Sequence, residues 1–383
     1  MLINQWYVLA NSDEVCGEPI RVHALGQDFV LFRDAADGVH CLSDICVHKG
    51  ASLSCGKVVE NAVVCPYHGW QFDGNGTCIK IPSLVEGKKI PKRARIDSYP
   101  VKEKWGWIWA FLGDASEQER PPLPDFFPEF EQQTGAWRFA RGRAHFDCNW
   151  VRAVENGVDR AHAVFVHADF GNPESPEVED YEIEDSDNRI YGSGSGAPLN
   201  KRGVWRDAIP DERDDREVEV QIFVPAPCIR IQMHMQATMS QIIVTAYTPI
   251  EEGRTQLNFI QARNFLTDEK YDEDSLKRVY FVIEEDANIL KHLKPTRIPP
   301  SLADELLLSS DHHGTVFRQK VKEMEEKCLA IDTEKQCRDS ERVQVIPSPL
   351  RKEDPNSWVF KSIPMRNNIT NNSDYSNINH GTE

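Results

Sequence analysis

Two cysteines and two histidines near the start of the chain have the types and the spacing of metal ligands. Cys46 and His48 form one pair, and Cys65 and His68 form a second pair after an interval of sixteen residues. Because thiolate and imidazole groups bind transition metals, two adjacent loops that each supply both can hold a metal or an iron–sulfur cluster. A structural zinc site is the alternative, but zinc fingers usually pair Cys with Cys and His with His. Because each pair here contains one Cys and one His, we favour an iron–sulfur cluster over zinc.

A second group of polar residues follows the order N-x2-D-x2-H-x4-H, at Asn156, Asp159, His162 and His167. Residues 150–166 are a helix candidate, and on a helix offsets of three place the first three side chains within about 120° of arc. His167 would lie about 140° further round than His162 if the helix continued. The two histidines can bind one ion only if the helix ends or bends near Phe165 to His167.

The carboxylate of this second site is predicted to come from a later helix over residues 268–293. An apolar stripe along that helix contains Leu276, Val279, Ile283, Ala287 and Leu290. Asp286 falls inside the stripe, about 60° from Ile283, whereas Glu285 points to the opposite side. A buried acid needs a partner, and two histidines with one carboxylate form the set that leaves open positions on Fe(II) for dioxygen.

Both acids have alternative roles. Asp286 could cap a helix or pair with a buried arginine instead of a metal. Asp159 could itself be the iron ligand, because its spacing to His162 permits that geometry. A supporting role for Asp159 is favoured, since a metal-bound histidine normally donates its other N–H group to such a carboxylate.

Composition limits the class of protein. The 383 residues carry a net charge of −17, which argues against general nucleic-acid binding, because that binding depends on basic residues that neutralise phosphates. We find no apolar run of about 18 residues and no signal-peptide pattern, so we expect neither a membrane span nor export. Ten cysteines in an intracellular chain of this length do not indicate a disulfide framework. The expected location is the cytoplasm.

The order of elements predicts two domains, which also suits the length of the chain. Short strands separated by Gly and Asp turns characterise the first part, and a proline-rich crossing leads to a region of strands and helices. The predicted parts are an all-β domain over 1–112, a linker over 113–125 and a catalytic domain over 126–365. Further predictions are a mobile insertion over 172–216, strands over 217–264, a helix over 313–326 and a disordered tail over 366–383.

The two Cys/His segments also resemble a known signature. Cys46-Val47-His48-Lys49-Gly50 with Cys65-Pro66-Tyr67-His68-Gly69-Trp70-Gln71-Phe72 is similar to the Rieske motif of ring-hydroxylating oxygenases. Rieske proteins of respiratory complexes have two further cysteines where this chain has Ala51 and Tyr67, so the resemblance is to the lower-potential oxygenase and ferredoxin type. The N-x2-D-x2-H-x4-H stretch and segment 284–290 resemble the catalytic half of those oxygenases, in particular of subunits that include aromatic O-demethylases.

This resemblance to the Rieske non-haem iron oxygenases implies an α+β fold and a homotrimer. An N-terminal all-β Rieske domain would be followed by a helix-grip (START-like) α+β catalytic domain. Asp159 would be a catalytic residue that hydrogen-bonds a metal-bound histidine and reaches the cluster histidine of a neighbouring subunit, with Asn156 near the iron. The implied ligands are Cys46, His48, Cys65 and His68 for a [2Fe–2S] cluster, and His162, His167 and Asp286 for a mononuclear non-haem Fe(II).

The implied reaction uses O2 and electrons from NAD(P)H to hydroxylate or demethylate a small aromatic or heterocyclic molecule. The chain has no G-x-G-x-x-G dinucleotide pattern, so a separate flavin reductase and/or ferredoxin is expected to supply the electrons. The late-helix resemblance favours a monooxygenase or demethylase over a dioxygenase. An apolar pocket is predicted at Met233, Met235 and Phe259, with ordinary core packing as an equal alternative. The alternative function is a non-catalytic Rieske electron carrier with an appended binding domain.

Overall fold

Short antiparallel strands form the N-terminal part of the protein. The computed structural model describes residues 1–131, 136–167, 173–174, 176–178, 183–196, 216–236, 238–327, 329–339 and 341–366. The N-terminal strands are β1 (Gln5–Asn11), β2 (Ile20–Ala24), β3 (Gln27–Arg33), β4 (Val39–Ser43), β5 (Lys57–Val59), β6 (Ala62–Val64), β7 (Gln71–Asp73), β8 (Cys78–Lys80), β9 (Ser98–Tyr99), β10 (Val101–Lys104) and β11 (Trp107–Leu112). They build three sheets, in the orders β1–β11–β10, β2–β3–β4–β9 and β5–β6–β7–β8. The predicted all-β character of this part is confirmed.

A seven-stranded antiparallel sheet dominates the second part. Its strands are β12 (Arg138–Phe146), β13 (Ile183–Asp185), β14 (Arg189–Gly196), β15 (Arg216–Phe223), β16 (Cys228–Gln236), β17 (Met239–Glu251) and β18 (Arg254–Arg263), in the spatial order β12–β18–β17–β16–β15–β14–β13. Five helices lie in the same part of the chain, between residues 128 and 326. They are α1 (Pro128–Glu131), α2 (Trp150–Val158), α3 (Ala163–Val166), α4 (Asp272–Leu290) and α5 (His312–Glu326). The mixed α+β character predicted for this part is confirmed.

The two faces of the large sheet have different partners. Side chains alternate between faces along each strand. On one face, Val244 and Ile260 pack with the N-terminal tryptophans, such as Trp107. On the other face, Leu257 and its neighbours pack with apolar side chains of α2, α4 and α5. We call this second side the helix face, because the polar residues predicted for the second site lie on the helices that cover it.

Strands β13 and β14 lie inside segment 172–216, for which a mobile insertion was predicted. The run Gly192-Ser193-Gly194-Ser195-Gly196 has loop-like composition, yet it pairs with β15 over its whole length. At Gly194 a Cβ atom would come within 2.6 Å of the Arg160 guanidinium, so a larger residue requires that side chain to move. Apart from residues 173–174 and 176–178, the remainder of the predicted insertion lies outside the described residues, as does the predicted tail beyond residue 366.

The segment from Thr333 to residue 366 packs against the N-terminal domain. It contains α6 (Thr333–Arg338), β19 (Gln344–Val345), α7 (Leu350–Glu353) and β20 (Lys361–Ser362). Buried Asp97 accepts hydrogen bonds from the Arg351 guanidinium at 2.7 and 2.8 Å and from the Ser348 amide at 3.0 Å. The domain limits predicted from the sequence remain predictions. Among the described residues, no helix combines the length and the apolar composition needed to cross a membrane.

Candidate metal centres

Two loops of the same conformation present the first four candidate ligands. The loop after β4 carries Cys46, and the turn between β6 and β7 carries Cys65. In each loop the cysteine carbonyl accepts from a glycine amide four positions later, at 2.9 Å from Gly50 and 3.0 Å from Gly69. Both glycines have positive φ angles, 74° and 69°, which side chains rarely adopt. The glycines therefore allow each chain to turn back so that both loops face one space.

The cysteines of these loops are buried and the histidines are exposed. Cys46 and Cys65 are 1% and 2% exposed, whereas the rings of His48 and His68 lie at the surface with their centroids 4.4 Å apart. Trp70 stacks on His48 at 4.6 Å between centroids. A cluster held here would have its cysteine-bound iron inside and its histidine-bound iron facing outward. Exposed histidine edges are suited to passing electrons to another protein surface.

Burial also governs proton binding at this site. Removal from water, with neighbouring Cys65 adding to it, raises the pKa of the Cys46 thiol to about 12. Iron must displace that proton, because the thiolate is the form that ligates metal. Removal from water and the nearby ring of His68 lower the pKa of His48. The neutral imidazole, which is the metal-binding form, is thereby favoured.

The second group of candidate ligands begins where α2 ends. Asn149 starts α2 by accepting a hydrogen bond from the Val151 amide at 3.0 Å. The helix ends at Val158, and Asp159 is extended, with φ −72° and ψ 124°. The Asp159 carboxylate accepts from the Ala161 amide at 2.8 Å, which stabilises this exit from the helix.

The single helical face predicted for Asn156, Asp159 and His162 is therefore wrong. A helix over 150–166 was predicted, but the chain breaks at Asp159 and resumes helical structure only in α3. His162 immediately precedes α3 and His167 immediately follows it. The expected end of helical structure near Phe165 to His167 is confirmed, since α3 ends at Val166, and the break at Asp159 is an additional one that was not predicted. The reason is local, because a side-chain carboxylate competes for the backbone N–H groups that a continuing helix would use.

The two histidines meet Asp286 of α4. The Nε2 atoms of His162 and His167 lie 3.3 Å apart, and they lie 3.3 and 3.2 Å from the Asp286 Oδ1 atom. All three candidate ligand atoms fall within 4.8 Å of one another. His167 is 4% exposed, and the other two side chains are largely buried. The structure thus brings together the three residues predicted as iron ligands.

The donor atoms fit a shared cation better than a proton. Asp286 Oδ1 is buried and, despite two nearby ring nitrogens, forms no hydrogen bond of acceptable geometry with the described residues. Burial would raise the pKa of Asp286, but contacts with His162, His167 and Asn156 hold it at about 2. Burial would lower the pKa of His162, but Asp159 and Asp286 raise it to about 9. A carboxylate that stays ionised between two imidazoles is a donor set typical of ferrous iron.

Each histidine has a further carboxylate on its other ring nitrogen. Asp159 Oδ2 lies 3.5 Å from His162 Nδ1, and Glu285 Oε2 lies 3.0 Å from His167 Nδ1. The prediction that Glu285 points away from the site is wrong, because α3 brings His167 against the flank of α4 that carries Glu285. Carboxylates at this position fix the ring orientation and the tautomer of metal-bound histidines. The adjacent acids at 285 and 286 were the available signal for this role.

The predicted pocket residues have mixed surroundings. Phe259 is fully buried on the helix face, with its ring 5.2 Å from that of Tyr280 in α4. Met235 is buried in a small cluster with Phe265, and Met233 is partly exposed beside that cluster. Packing of this kind is the alternative that the sequence left open for Phe259 and Met235. A pocket role for the three residues remains a prediction.

A network of charges holds α2 in place behind this site. The guanidinium of Arg318 in α5 bridges Glu155 of α2, with one contact at 2.8 Å, and Glu305, at 2.6 Å. Arg152 of α2 reaches the same Glu305 at 2.6 Å. Paired buried charges of this type are costly to break, so α2 has a defined position relative to α5. The end of α2, where Asp159 lies, is positioned accordingly.

Comparisons with known proteins match both halves of the chain. Residues 5–100 match the Rieske [2Fe-2S] domain family, and residues 146–327 match the family described as vanillate O-demethylase oxygenase C-terminal domain.

Sequence relatives include several oxygenase components. A 4beta-methylsterol monooxygenase of Methylococcus capsulatus is 34% identical over 226 residues, which is 58% of this chain and 59% of that protein. The oxygenase component of dicamba O-demethylase from Stenotrophomonas maltophilia is 36% identical over 164 residues, 43% of this chain and 47% of that protein. The matched region thus spans about half the length of these curated relatives.

Solved structures extend the likeness over most of the chain. Dicamba monooxygenase bound to dicamba has a TM-score of 0.70 and 25% identity, over 85% of this chain and 97% of that chain. NdmA of Pseudomonas putida CBB5 with caffeine has a TM-score of 0.71 and 21% identity, over 84% and 91%. Because the identity to NdmA is only 21%, that comparison supports a shared fold and nothing more.

Proposed function

This chain belongs to the Rieske non-haem iron oxygenase family, and from that premise we propose that it is the oxygenase component of a multicomponent system. Its cofactors are a Rieske [2Fe–2S] cluster and a mononuclear non-haem iron. The proposed reaction uses O2, and electrons from NAD(P)H delivered by a partner reductase, to hydroxylate or demethylate a small aromatic or heterocyclic molecule. We also propose a cytoplasmic location, where such a reductase has access to NAD(P)H.

The observation that carries this proposal is the meeting of His162, His167 and Asp286. The alternative of a non-catalytic electron carrier needs the cluster site alone, and it gives no reason for two imidazoles and one ionised carboxylate to converge within 4.8 Å. These three residues are the proposed iron ligands. The proposed cluster ligands are Cys46, His48, Cys65 and His68.

Bound iron supplies the site that activates dioxygen, because a two-histidine, one-carboxylate set leaves coordination positions open. The protein side chains do the positioning. Asp159 and Glu285 each face the Nδ1 of one histidine, and so keep each Nε2 directed at the common centre. The burial of His167 and Asp286 restricts water at the site and strengthens the electrostatic contacts within it.

Demethylation or monohydroxylation is favoured over dihydroxylation in this proposal. The family that matches residues 146–327 is named for an O-demethylase, and a dicamba O-demethylase component is among the relatives. Hydroxylation of an O-methyl carbon gives a hemiacetal, which breaks down to the free hydroxyl compound and formaldehyde. Formaldehyde is therefore the product to measure.

We further propose that the active form is a homotrimer in which electrons cross between subunits. His68 is exposed on the cluster loop, and the Asp159 side chain is one-third exposed beside His162. Two partly exposed polar groups, one at each metal centre, can meet across a subunit boundary. The mass of the cluster-loaded protein in solution tests the trimer.

Iron counting tests the oxygenase proposal. The loaded protein should contain about three iron atoms per chain, two in the cluster and one at the second site. His162→Ala should lose about one iron and all formaldehyde release, with unchanged visible absorbance of the cluster. His292→Ala, which alters an exposed histidine just beyond α4, is the matched control and should change neither value. About two irons per chain, unaffected by His162→Ala, would establish the electron carrier instead, and a colourless protein would establish zinc.

A further inference from the structure

The C-terminal segment, residues 344–363, lies outside both families that match this chain. Those matches end at residues 100 and 327. Ile346 and Ile363 of this segment are nevertheless buried in the core of the N-terminal domain, where they pack in one group with Leu31 and Tyr99. A part of the chain that neither match includes therefore helps to build the domain that carries the candidate cluster ligands.

Residues 93–97 connect this segment to the core around the candidate cluster ligands. Ala94 and Ile96 are buried in the same apolar core as Cys46 and Cys65. Both residues are also hydrogen-bonded through their backbones to the turn between β7 and β8 and to the start of β8, at 2.8 and 2.9 Å. One side of residues 93–97 thus belongs to the core behind the cluster site.

The alternate side chains of the same stretch contact the C-terminal segment. The Arg93 guanidinium donates to the Trp358 carbonyl at 3.0 Å, and the Arg95 guanidinium lies 4.5 Å from the centre of the Trp358 ring. Arg351 of α7 lies at the same distance from that ring, and it also donates two hydrogen bonds to the buried Asp97 carboxylate. The odd-numbered side chains are therefore fixed by the C-terminal segment, while the even-numbered side chains pack in the core.

A second set of contacts reaches the strand that leads into the first cluster loop. The Tyr99 hydroxyl donates to the Ile346 carbonyl at 2.6 Å and lies 3.0 Å from the Ser43 hydroxyl. The Ser43 amide donates to the Asp97 carbonyl at 2.9 Å. Ser43 is the last residue of β4, and Cys46 follows it after two further residues. A single residue, Asp97 or Tyr99, therefore links the C-terminal segment to the strand in front of the loop that carries Cys46.

The ion pair of Arg351 with Asp97 is a buried link among these contacts. The Asp97 side chain is 1% exposed and the Arg351 side chain is 12% exposed. Because two charge-assisted hydrogen bonds come from one planar guanidinium, they fix the position of the carboxylate. Loss of the arginine would leave a buried and unpaired carboxylate, which is costly unless the carboxylate moves toward water. Such a movement would displace the Asp97 backbone that holds Ser43.

From these contacts we propose that the C-terminal segment is a clamp on the cluster domain, and that Arg351 is a positioning residue for the [2Fe–2S] cluster. Arg351 acts through Asp97 and Ser43 on the loop that carries Cys46, and it touches no metal itself. The clamp keeps this loop closed over the cluster and so slows the loss of the cluster. This role rests on the proposed cluster ligands. It gives a part in electron supply to a segment that neither matched family includes.

Release of the cluster from the full chain tests the clamp. The iron- and cluster-loaded protein is mixed with excess EDTA in the absence of oxygen, well below its unfolding midpoint, and the decay of the visible absorbance gives the rate of cluster loss. Arg351→Met should speed this decay about tenfold, because opening of the loop no longer breaks a charge-assisted hydrogen bond. Arg351→Lys restores a positive charge opposite Asp97 and should recover part of the wild-type retention. A wild-type rate in Arg351→Met overturns the proposal.

A second variant tests the other link, and it decides the question if Arg351→Met fails to fold. Tyr99→Phe removes only the hydroxyl that joins Ser43 to the C-terminal segment. It should speed cluster loss about threefold, as expected for a neutral hydrogen bond, and a wild-type rate would contradict the clamp. Lys352→Met is the matched control, since this exposed neighbour of Arg351 pairs with Glu119 at 3.0 Å. The control should keep the wild-type rate, and an equal effect in it overturns the proposal.

Two further measurements separate positioning of the cluster from a general role in stability. In Arg351→Met, the electron paramagnetic resonance signal of the reduced cluster should shift or broaden, because the geometry of the Cys46 loop changes. The affinity of the second site for Fe(II) should keep its wild-type value. An unchanged signal together with equally faster loss of both metals would show a general role in stability and overturn the proposal.

The clamp and the proposed function can fail separately. A wild-type protein that holds the cluster but releases no formaldehyde would refute the proposed demethylation, and the rates of cluster loss would still decide on the clamp. Equal rates in the wild type and in Arg351→Met would refute the clamp and leave the oxygenase unaffected. A colourless wild-type protein would refute both.

Discussion

Replacing Glu285 with glutamine removes the negative charge that faces the Nδ1 atom of His167. The Glu285 Oε2 atom lies 3.0 Å from that nitrogen, and the Glu285 side chain is mostly buried. A hydrogen bond to a charged group contributes about 1.5–3 kcal/mol, whereas a neutral one contributes about 0.5–1.5 kcal/mol. Since the glutamine oxygen can still accept from the ring, the loss is about 1–1.5 kcal/mol. That loss corresponds to about tenfold weaker iron binding.

The assay is anaerobic competition for Fe(II) between the cluster-loaded protein and a chelator. Glu285→Gln should raise the iron dissociation constant about tenfold, and Glu285→Ala, which removes the acceptor, should raise it up to about 100-fold. The visible absorbance of the [2Fe–2S] cluster should not change. Glu284→Gln alters the exposed neighbouring acid of α4 and is the matched control. Wild-type affinity in Glu285→Gln, or an equal loss in the control, would refute a positioning role for Glu285.

Three further predictions concern the stability of the fold. Asp97→Ala should lower the free energy of unfolding by about 3–5 kcal/mol in denaturant titrations, because it leaves the buried charge of Arg351 unpaired. Burial, with the charge of Arg160, lowers the pKa of His313 to about 4. The unfolded chain therefore takes up a proton that the native protein excludes, and up to about 3 kcal/mol is lost as pH falls from about 6.5 to about 4. His313→Phe should remove this part of the pH dependence. Gly194→Val should change the free energy of unfolding by about 1 kcal/mol or less, since the three atoms nearest to the new Cβ belong to the flexible end of the Arg160 side chain, which can move.

The four candidate cluster ligands could be selected from the sequence because the determinants of their two loops are local. Each loop is closed by bonds between residues four or five positions apart, from Cys46 to Gly50 and Ala51 in the first loop. The ligand types and the glycines that permit the turns therefore lie within one short segment. The burial of Cys65 and the exposure of His68 depend on packing and were not predictable.

The second site was predictable only in part. The types and order of His162, His167 and Asp286 indicated a set of two histidines and one carboxylate that could bind iron. The apolar stripe of the later helix indicated which acid is buried. The path of the chain between Asn156 and His162 was predicted wrongly, because helical periodicity does not register the competition of the Asp159 carboxylate for backbone amides. Sequence periodicity likewise could not place Glu285, since its partner is a ring carried by another helix.

Local composition determined which residues are the candidate ligands of the iron–sulfur cluster, and residue types determined which chemistry is proposed for a second metal. Tertiary structure decided the rest. It placed the glycine-rich run of β14 in a sheet, since pairing with β15 outweighs the weak preference of glycine for loops. It also left the Gln261 amide buried without a hydrogen-bond partner, because none of the described neighbouring residues places a donor or an acceptor within reach of it. Hydrogen-bond satisfaction is a relation between distant segments, so no single segment of sequence contains it.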